Sequence, residues 1–369
     1  MALSTIPTRA LSEQGINFRN LIINGDMSIA QRGTSVAGLT NGSSQYLIDR
    51  FKWYEGGAPT YQFTMSQDTD VPTGQGFVKS LKLDCTTAQT SLGAADQNII
   101  WQRMEAQFLQ HLKYGTANAE SLTLSFWVKS NKTGTYVVEL YQNASNRGLS
   151  KSYTINSANT WEKKTITYDG DPSGTINNTS NAGLDVYFFL SAGSNYQSGT
   201  LATSWQTYSA GDECVGQVNL ADSTDNNFWI TGIQLEVGTS ASDFEFLPWD
   251  VNLRRCQRYL QQIGYGPYTD QTTGGNRFAV GLRDGGGSTT CYITVPLLSY
   301  LRTTPTITYN NINARQDGTD YTISAINTIV NEGLAIQFAV TVTSGFSISN
   351  AVQLRYTSTN GYMRFDSEL

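Results

Sequence analysis

Residues 121–129 read SLTLSFWVK, and residues 135–141 read TYVVELY. In both stretches every second side chain is apolar, which is the period of a β-strand with one face in a hydrophobic core. The residues between them, NKTG at 131–134, contain the turn formers Asn and Gly. The pair therefore predicts two β-strands whose alternate side chains fill a core.

The same alternation recurs along the first 240 residues. Further strand-like runs lie at residues 61–66, 80–84, 163–168, 185–190 and 228–236. Residues 101–112 (WQRMEAQFLQHL) interrupt this pattern, and either a short helix or a strand followed by a helical turn fits them. Many short strands with little helix predict an all-β protein that begins with a jelly-roll β-sandwich.

The sequence changes character again at residues 246–250 (FLPWD). After this point residues 251–263 (VNLRRCQRYLQQI) carry apolar side chains at helical spacing, and strand-like runs resume beyond Gly264. A chain of 369 residues exceeds what one core usually serves. We expect an N-terminal arm at 1–19, a jelly roll at 20–247, a helical connector at 248–263 and a second, smaller β-sandwich at 264–369.

The charge balance limits the classes of partner. Only 15% of the residues are charged, and the formal net charge is −6. Binding to nucleic acid or to an anionic membrane surface requires a basic field, so we predict neither partner. No apolar run is long enough to span a bilayer. The start of the chain lacks the apolar core of a secretion signal, so we expect synthesis and assembly in a cytoplasm.

Few residues suit catalysis. Cys85, Cys214, Cys256 and Cys291 are far apart in sequence, and we predict buried thiols rather than metal ligands. His111 is the only histidine, so a Ser-His-Asp or Cys-His arrangement would have to use it. We therefore predict a protein that is not an enzyme and has no cofactor.

Six short strings occur in a fixed order along the chain. They are NLIINGDMSIAQRG (20–33), YLIDRF (46–51), SFWVKS (125–130), ITGIQLE (230–236), CQRY (256–259) and FDSEL (365–369). In their order and spacing they make the sequence resemble bacteriophage tail-fibre and virion-surface proteins. The resemblance implies a carbohydrate-binding-module-like jelly roll, a C-terminal sandwich and a homotrimer displayed on the tail or capsid surface of a virion. The polar arm at 1–19 is the candidate segment for docking to other virion proteins.

Related carbohydrate modules often hold a structural calcium ion near the first strand. Asn24 and Asp26 could supply oxygens, but Thr231 and Gly232 stand where the resemblance implies an acidic pair. Calcium prefers six to eight oxygen ligands, several of them from carboxylates. We therefore predict no metal, and we interpret the Asn24–Asp26 segment as a turn.

Sugar rings stack their C–H faces on aromatic rings, while neighbouring charged groups and amides bond the hydroxyls. Trp127 and Lys129 lie on the polar face of the first strand, Glu139 and Tyr141 share a face of the second, and Tyr187 lies on another strand. If these faces coincide, the five residues form a glycan-binding site. The alternative is that a neighbouring subunit covers this face.

Three further tryptophans, Trp53, Trp161 and Trp229, are predicted to lie in the core. For Trp229 the prediction rests on its being in phase with Ile233 and Leu235.

The sequence thus predicts a structural subunit of a tailed-phage virion, either a tail fibre or a receptor-binding protein that recognises host surface glycans. A ligand-free capsid decoration, head-fibre or baseplate adaptor protein is the alternative. A polysaccharide hydrolase is the third hypothesis, because that chemistry needs two carboxylates and no histidine.

Overall fold

The computed structural model describes residues 18–40, 44–265, 277–283, 289–331, 333–347 and 350–369. Within these residues one α-helix, α1 (Trp249–Gln257), occurs among many β-strands, so the predicted all-β fold class is confirmed. None of their helices is both long and apolar enough to cross a membrane. The predicted arm at 1–19 lies outside the described residues except for Phe18 and Arg19.

The first unit is a two-layer sandwich of antiparallel strands. Its strands are β1 Ser35–Leu39, β2 Ser44–Tyr46, β3 Lys52–Gly56, β4 Gln62–Asp68, β5 Ser80–Thr87, β6 Gln97–Glu105, β7 Leu122–Ser130, β8 Gly134–Gln142, β9 Arg147–Ile155, β10 Glu162–Tyr168, β11 Ala182–Ala192, β12 Gln206–Thr207 and β13 Asn227–Val237. One sheet has the order β1-β4-β5-β13-β7-β10, and the other has the order β12-β9-β8-β11-β6-β3-β2.

The alternation in the sequence sets the sandwich core. Leu124 and Phe126 of β7 and Val138 and Leu140 of β8 are all fully buried in one cluster between the two sheets. Trp53 is buried in the same cluster, as predicted. The four cysteines are free and buried, as predicted. Burial of this many apolar side chains is the main stabilising contribution to the sandwich.

The ambiguous segment at 101–112 is resolved in favour of a strand followed by helical turns. Strand β6 continues to Glu105, and two short 3₁₀ helices follow at Ala106–Phe108 and Gln110–Leu112. The main chain of β6 pairs with β11 from Gln97 to Glu105. The local sequence pattern cannot predict these hydrogen bonds, because β11 is distant in sequence. Further 3₁₀ helices lie at Ser194–Tyr196, Ala210–Asp212 and Leu220–Asp222.

The predicted helix at 251–263 is wrong in its second half. Helix α1 ends at Gln257, and β14 (Leu260–Gly264) follows as a strand. Leu260 pairs with Asp366 and Ile263 with Met363 of the strand at the chain's end. Pairing of this main chain outweighs the helical spacing of the side chains, because every buried N–H and C=O must find a partner. The division into domains itself stays a prediction.

The second unit closes on itself. Its strands are β14 Leu260–Gly264, β15 Arg277–Arg283, β16 Thr290–Pro296, β17 Thr306–Asn310, β18 Ile312–Gln316, β19 Thr319–Asn331, β20 Ala335–Val342, β21 Ala351–Tyr356 and β22 Tyr362–Asp366. Six of them form a barrel in the order β15-β16-β20-β19-β18-β21, and β14, β22 and β17 form a separate sheet. We expected a second sandwich here. Alternation places a core on one face in both architectures, and only strand order distinguishes a barrel from two packed sheets.

Charged side chains join the two units. Arg258 of the second unit forms a bidentate pair with Glu105 at 2.6 and 2.8 Å, and Arg302 donates to the carbonyl of Ser180. The guanidinium of Arg50 pairs with Glu368, and both side chains are at most 5% exposed. The end of the chain is therefore held against the first sandwich by buried charge pairs.

Candidate functional site

The five predicted site residues do not form one site. Trp127 and Lys129 project from β7 in the six-stranded sheet, whereas Glu139, Tyr141 and Tyr187 project from β8 and β11 in the seven-stranded sheet. Strands β7 and β8 are consecutive in the chain but lie in opposite layers. On each strand the predicted site residues alternate with the core residues and therefore point away from the core. The site residues of β7 and those of β8 consequently lie on opposite outer surfaces of the sandwich. The predicted single platform is therefore wrong, and two outer surfaces must be considered.

The outer surface of the seven-stranded sheet carries a cluster of aromatic rings that we name the tyrosine face. Trp101 stacks on Tyr54 with a centroid distance of 5.1 Å and contacts Tyr187 at 5.1 Å. Tyr141 contacts Tyr187 at 6.1 Å and Tyr208 at 5.8 Å. Tyr54 and Tyr141 are half-buried, while Trp101 is 9% and Tyr187 8% exposed. The rings form one continuous aromatic surface across the sheet.

Strand register aligns this surface with charged groups. Lys52, Trp101, Tyr187 and Glu139 are successive cross-strand partners on β3, β6, β11 and β8. Cross-strand partners share a face with Cβ atoms about 4.5–5.5 Å apart. The ammonium of Lys52 lies 5.2 Å from the ring centre of Trp101. A row of two adjacent aromatic side chains with a charged residue at each end thus crosses four strands.

A second row lies beside it. Arg103 pairs with Asp185 at 3.1 Å, and the hydroxyl of Tyr187 donates to the same carboxylate at 2.6 Å. The guanidinium of Arg103 also covers the Trp101 ring at 4.6 Å. The indole Nε1 of Trp101 is buried and has no acceptor among the described residues. A buried donor without an acceptor lowers the stability of the fold.

A segment that we name the strap, residues 193–218, crosses the tyrosine face. Its residues Tyr196, Leu201 and Cys214 pack in the same cluster as Trp101 and Tyr187. Gln217 accepts a hydrogen bond from the backbone of Val137 at 2.8 Å. The strap therefore forms one wall of the face and limits how much of the Trp101 and Tyr187 rings is open to solvent.

Two carboxyl groups meet beneath the strap. Glu139 of β8 and Glu213 of the strap line the same cleft, together with Tyr208. Burial raises the pKa of Glu213 to about 7, and burial together with the charge of Glu213 raises the pKa of Glu139 well above its usual range. Tyr208 donates to Glu213 at 3.1 Å.

This carboxyl pair predicts a pH-dependent stability. A carboxyl group whose pKa is raised on folding imposes no cost below its unfolded pKa near 4.5, and the cost grows as the pH rises to about 7. We expect Glu213→Gln to leave thermal stability unchanged at pH 4.5 and to raise the unfolding free energy at pH 8 by roughly 1–3 kcal/mol relative to wild type. Urea denaturation at the two pH values measures the difference.

Glu55→Gln is the matched control for this prediction. Burial and the neighbouring charge of Asp96 raise the pKa of Glu55 to about 7, but Glu55 is on the core side of β3, away from the strap. In a variant that already carries Glu55→Gln, adding Glu213→Gln should raise the unfolding free energy at pH 8 by the same amount as it does in wild type. An equal effect of Glu213→Gln at both pH values would contradict the raised pKa of Glu213.

The outer surface of the six-stranded sheet carries Trp127, Lys129, Trp161 and Trp229, and we name it the tryptophan face. Three of these side chains are half-buried, and Lys129 is 7% exposed. Trp161 and Trp229 were predicted to lie in the core, and that prediction is wrong. A β-bulge between Thr231 and Gln234 shifts the phase of β13. Phe228 and Ile230 therefore point inward before the bulge, and Ile233 and Leu235 point inward after it.

The polar groups of the tryptophan face are already paired. Lys82 and Lys129 flank the two sides of Trp229, with ammonium-to-centroid distances of 5.2 and 4.3 Å. The indole of Trp229 donates to Asp68 at 3.1 Å, and Lys129 forms an ion pair with Asp70. The Trp229 ring is thus held between two lysines, which leaves little of its π-surface for a sugar. The tyrosine face is the better candidate site.

The remaining predicted positions take structural roles. Asn24 has a positive φ of 62°, and its amide bonds the main chain of Ile29 and Asp49, as expected for a turn. Its oxygen accepts from the Ile29 N–H and is therefore already engaged. Among the described residues no group of three acidic, His or Cys side chains has a metal-binding arrangement. His111 is exposed in a 3₁₀ turn.

Comparisons with known proteins gave matches only among solved structures. No protein-family model matches the sequence, and no curated protein matches it significantly. Among solved structures, a tailspike protein 4 domain of bacteriophage CBA120 is 16% identical, with a TM-score of 0.30 over 55% of this chain and 22% of the tailspike chain. The match therefore covers less than a quarter of that tailspike chain.

Several carbohydrate-binding modules are also similar. A family 11 module from Clostridium thermocellum, in complex with a mixed-linked tetrasaccharide, is 10% identical with a TM-score of 0.28, over 57% of this chain and 99% of the module. A xylan-binding domain of family 22 is 15% identical with a TM-score of 0.28, over 57% of this chain and 99% of that domain. Scores this low carry no argument about function.

Proposed function

We propose that this protein is a non-catalytic, glycan-binding structural subunit of a tailed-phage virion, and that the tyrosine face is its binding site. The observation that carries the binding part is the continuous aromatic row through Trp101, Tyr187 and Tyr141 with charged groups in register beside it. The rings can stack on sugar C–H faces, and the partly exposed guanidinium of Arg103 can donate to hydroxyls.

The virion part of the proposal rests on the sequence resemblance to tail-fibre proteins. Display as a homotrimer would present three tyrosine faces, and linked weak sites gain affinity by avidity without any new contact. The arm at residues 1–19 would dock the trimer to another virion protein. Placement is on the virion surface, at the tail or the capsid.

A second candidate function is favoured by the burial of the same face. Trp101 and Tyr187 are at most 9% exposed, and the strap already packs against their cluster. Aromatic rings this well covered can serve stability alone. On this reading the protein is a ligand-free decoration or adaptor subunit.

Glycan binding is tested by Tyr141→Ala, because Tyr141 is the half-buried ring at the open side of the row. We expect the affinity for host surface polysaccharide to fall about tenfold or more, which corresponds to about 1.4 kcal/mol. Glycan-array binding and host-cell adsorption of the full chain measure it. Tyr141→Phe keeps the ring and should retain most of the affinity, since only the hydrogen bond to Asn146 is lost.

Trp127→Ala is the matched control, because it removes a half-buried ring on the opposite surface. Retained binding in this variant is expected. Loss of binding in Trp127→Ala with retention in Tyr141→Ala would place the site on the tryptophan face instead. No binding by the wild-type chain to any host glycan would favour the ligand-free adaptor function.

A further inference from the structure

A polar cavity of about 410 Å³ lies on the outer wall of the barrel, in the unit that does not carry the tyrosine face. It is open to solvent on one side. Its lining is rich in guanidinium and amide groups, which come from Arg277, Arg315, Asn350 and Gln353, together with the carboxylate of Asp317. The volume falls in the range of small-molecule sites and accommodates one or two sugar rings.

Strand register brings the cationic groups together. Arg277 of β15 is the cross-strand partner of Arg355 of β21, and Arg315 of β18 is opposite Gln353 of β21. Cross-strand partners share a face, so all three arginines lie on the outside of the barrel. Two like charges directly opposite each other are destabilising in an antiparallel pair. Of this pair only Arg277 lines the cavity, and an anion bound there beside Arg277 would relieve the repulsion.

The acidic groups nearby do not balance this charge. Asp320 accepts from both Arg315 at 2.8 Å and Arg355 at 3.1 Å, so one carboxylate serves two arginines. Asp317 accepts from the amide of Asn350 at 2.6 Å. Among the described residues Arg277 forms no ion pair, and its side chain is exposed at the rim of the cavity. The cavity therefore has an uncompensated cationic side.

We propose that this cavity binds an acidic saccharide through its carboxylate. The planar guanidinium of Arg277 can hold a carboxylate with two parallel hydrogen bonds, which is the geometry that favours Arg over Lys at such sites. The amides of Asn350 and Gln353 supply donors and acceptors for the ring hydroxyls. Asp317 also lines the cavity. Its negative charge weakens anion binding and restricts the orientation of the bound acid.

This site is independent of the proposed function of the tyrosine face, because it is built entirely from barrel residues. Calorimetric titration of the full chain with digalacturonate tests it, with the digalacturonate methyl ester as the uncharged matched ligand. We expect digalacturonate to bind and the ester to bind at least tenfold more weakly. Equal binding of the two would overturn the proposal, as would equal binding of inorganic phosphate, because the cavity would then select no sugar.

Arg277→Gln should lower the affinity for digalacturonate about tenfold or more. Arg254→Gln makes the same change in net charge at an exposed position on α1 and should leave the affinity unchanged. An equal loss in both variants would mean nonspecific attraction and would overturn the site.

Asp317→Asn is expected to increase the affinity, a change that a loss of folding cannot produce. Asp317 occupies a turn with φ of 49°, a conformation that Asn also tolerates. Removing its charge should raise the affinity for digalacturonate severalfold. An unchanged or lower affinity in a variant with an unchanged melting temperature would contradict the proposal.

Discussion

Glu368→Ala is expected to lower the free energy of unfolding by about 3–5 kcal/mol, because it leaves the buried guanidinium of Arg50 without its counter-ion. The Arg50 side chain is 1% exposed and that of Glu368 5% exposed. Arg50 is fixed on its other sides by the carbonyl of Arg103 at 2.5 Å and by the ring of Tyr259 at 3.5 Å from its carbon centre. It cannot turn to water without breaking these contacts.

A second arginine, Arg32, adds to the expected loss of unfolding free energy. Arg32 pairs with Glu368 at 3.4 Å and with Asp366 at 2.7 Å, and its side chain is 7% exposed. Removal of the Glu368 carboxylate therefore leaves two buried guanidinium groups with one remaining ion-pair partner in the part of the chain that the structure describes, Asp366. Urea denaturation followed by circular dichroism measures the loss.

Glu120→Ala is the matched control for this prediction. Glu120 pairs with Lys113 at 2.5 Å, but both side chains are well exposed. Exposed ion pairs contribute about 0–1 kcal/mol, so the control should change the unfolding free energy by no more than that. A loss below about 1 kcal/mol in Glu368→Ala would show that Arg50 reaches solvent after all.

Gly232→Ala is the second large effect, with an expected loss of about 2–5 kcal/mol. Gly232 sits in the β13 bulge with φ of +63°, a left-handed conformation that costs a residue with a Cβ about 1–2 kcal/mol. An added Cβ would also lie 2.5 Å from the ring of Phe77. That ring packs against Phe244 and Phe246 at about 5 Å and cannot move freely.

Gly74→Ala separates the two causes. Gly74 has a similar φ of +76° but no atom within 4 Å of an added Cβ, so only the conformational cost applies. We expect a loss of about 1–2 kcal/mol for this control. Thermal and urea denaturation of both variants give the difference, which is the contribution of the Phe77 contact. Equal losses would contradict a steric role for Phe77.

The bulge also explains why one part of the candidate surface was not predictable. Trp229 is an even number of residues from Ile233, and strict alternation assigns both to one face. One extra residue at Gly232 reverses that assignment, and Trp229 joins Lys129 on the outside. Gly232 itself was the available signal, since an isolated glycine in a strand pattern often marks a bulge.

The tyrosine face was predicted in part. Glu139, Tyr141 and Tyr187 were assigned from alternation to the side opposite the core, and all three project from that side. Trp101 was missed because residues 101–112 allowed a helix as well as a strand. Pairing of β6 with β3 and β11 is what brings Trp101 between Tyr54 and Tyr187.

The sequence by itself determined the all-β class and, for regular strands such as β7 and β8, which side chains face the core, because a period of two is a local property of the chain. Only the tertiary structure decided which outer sides coincide. Consecutive strands β7 and β8 enter opposite sheets, which separates Trp127 from Glu139. Residues distant in sequence, such as Glu139 and Glu213, meet because hydrogen bonds between strands are specified by the whole fold and not by neighbouring residues.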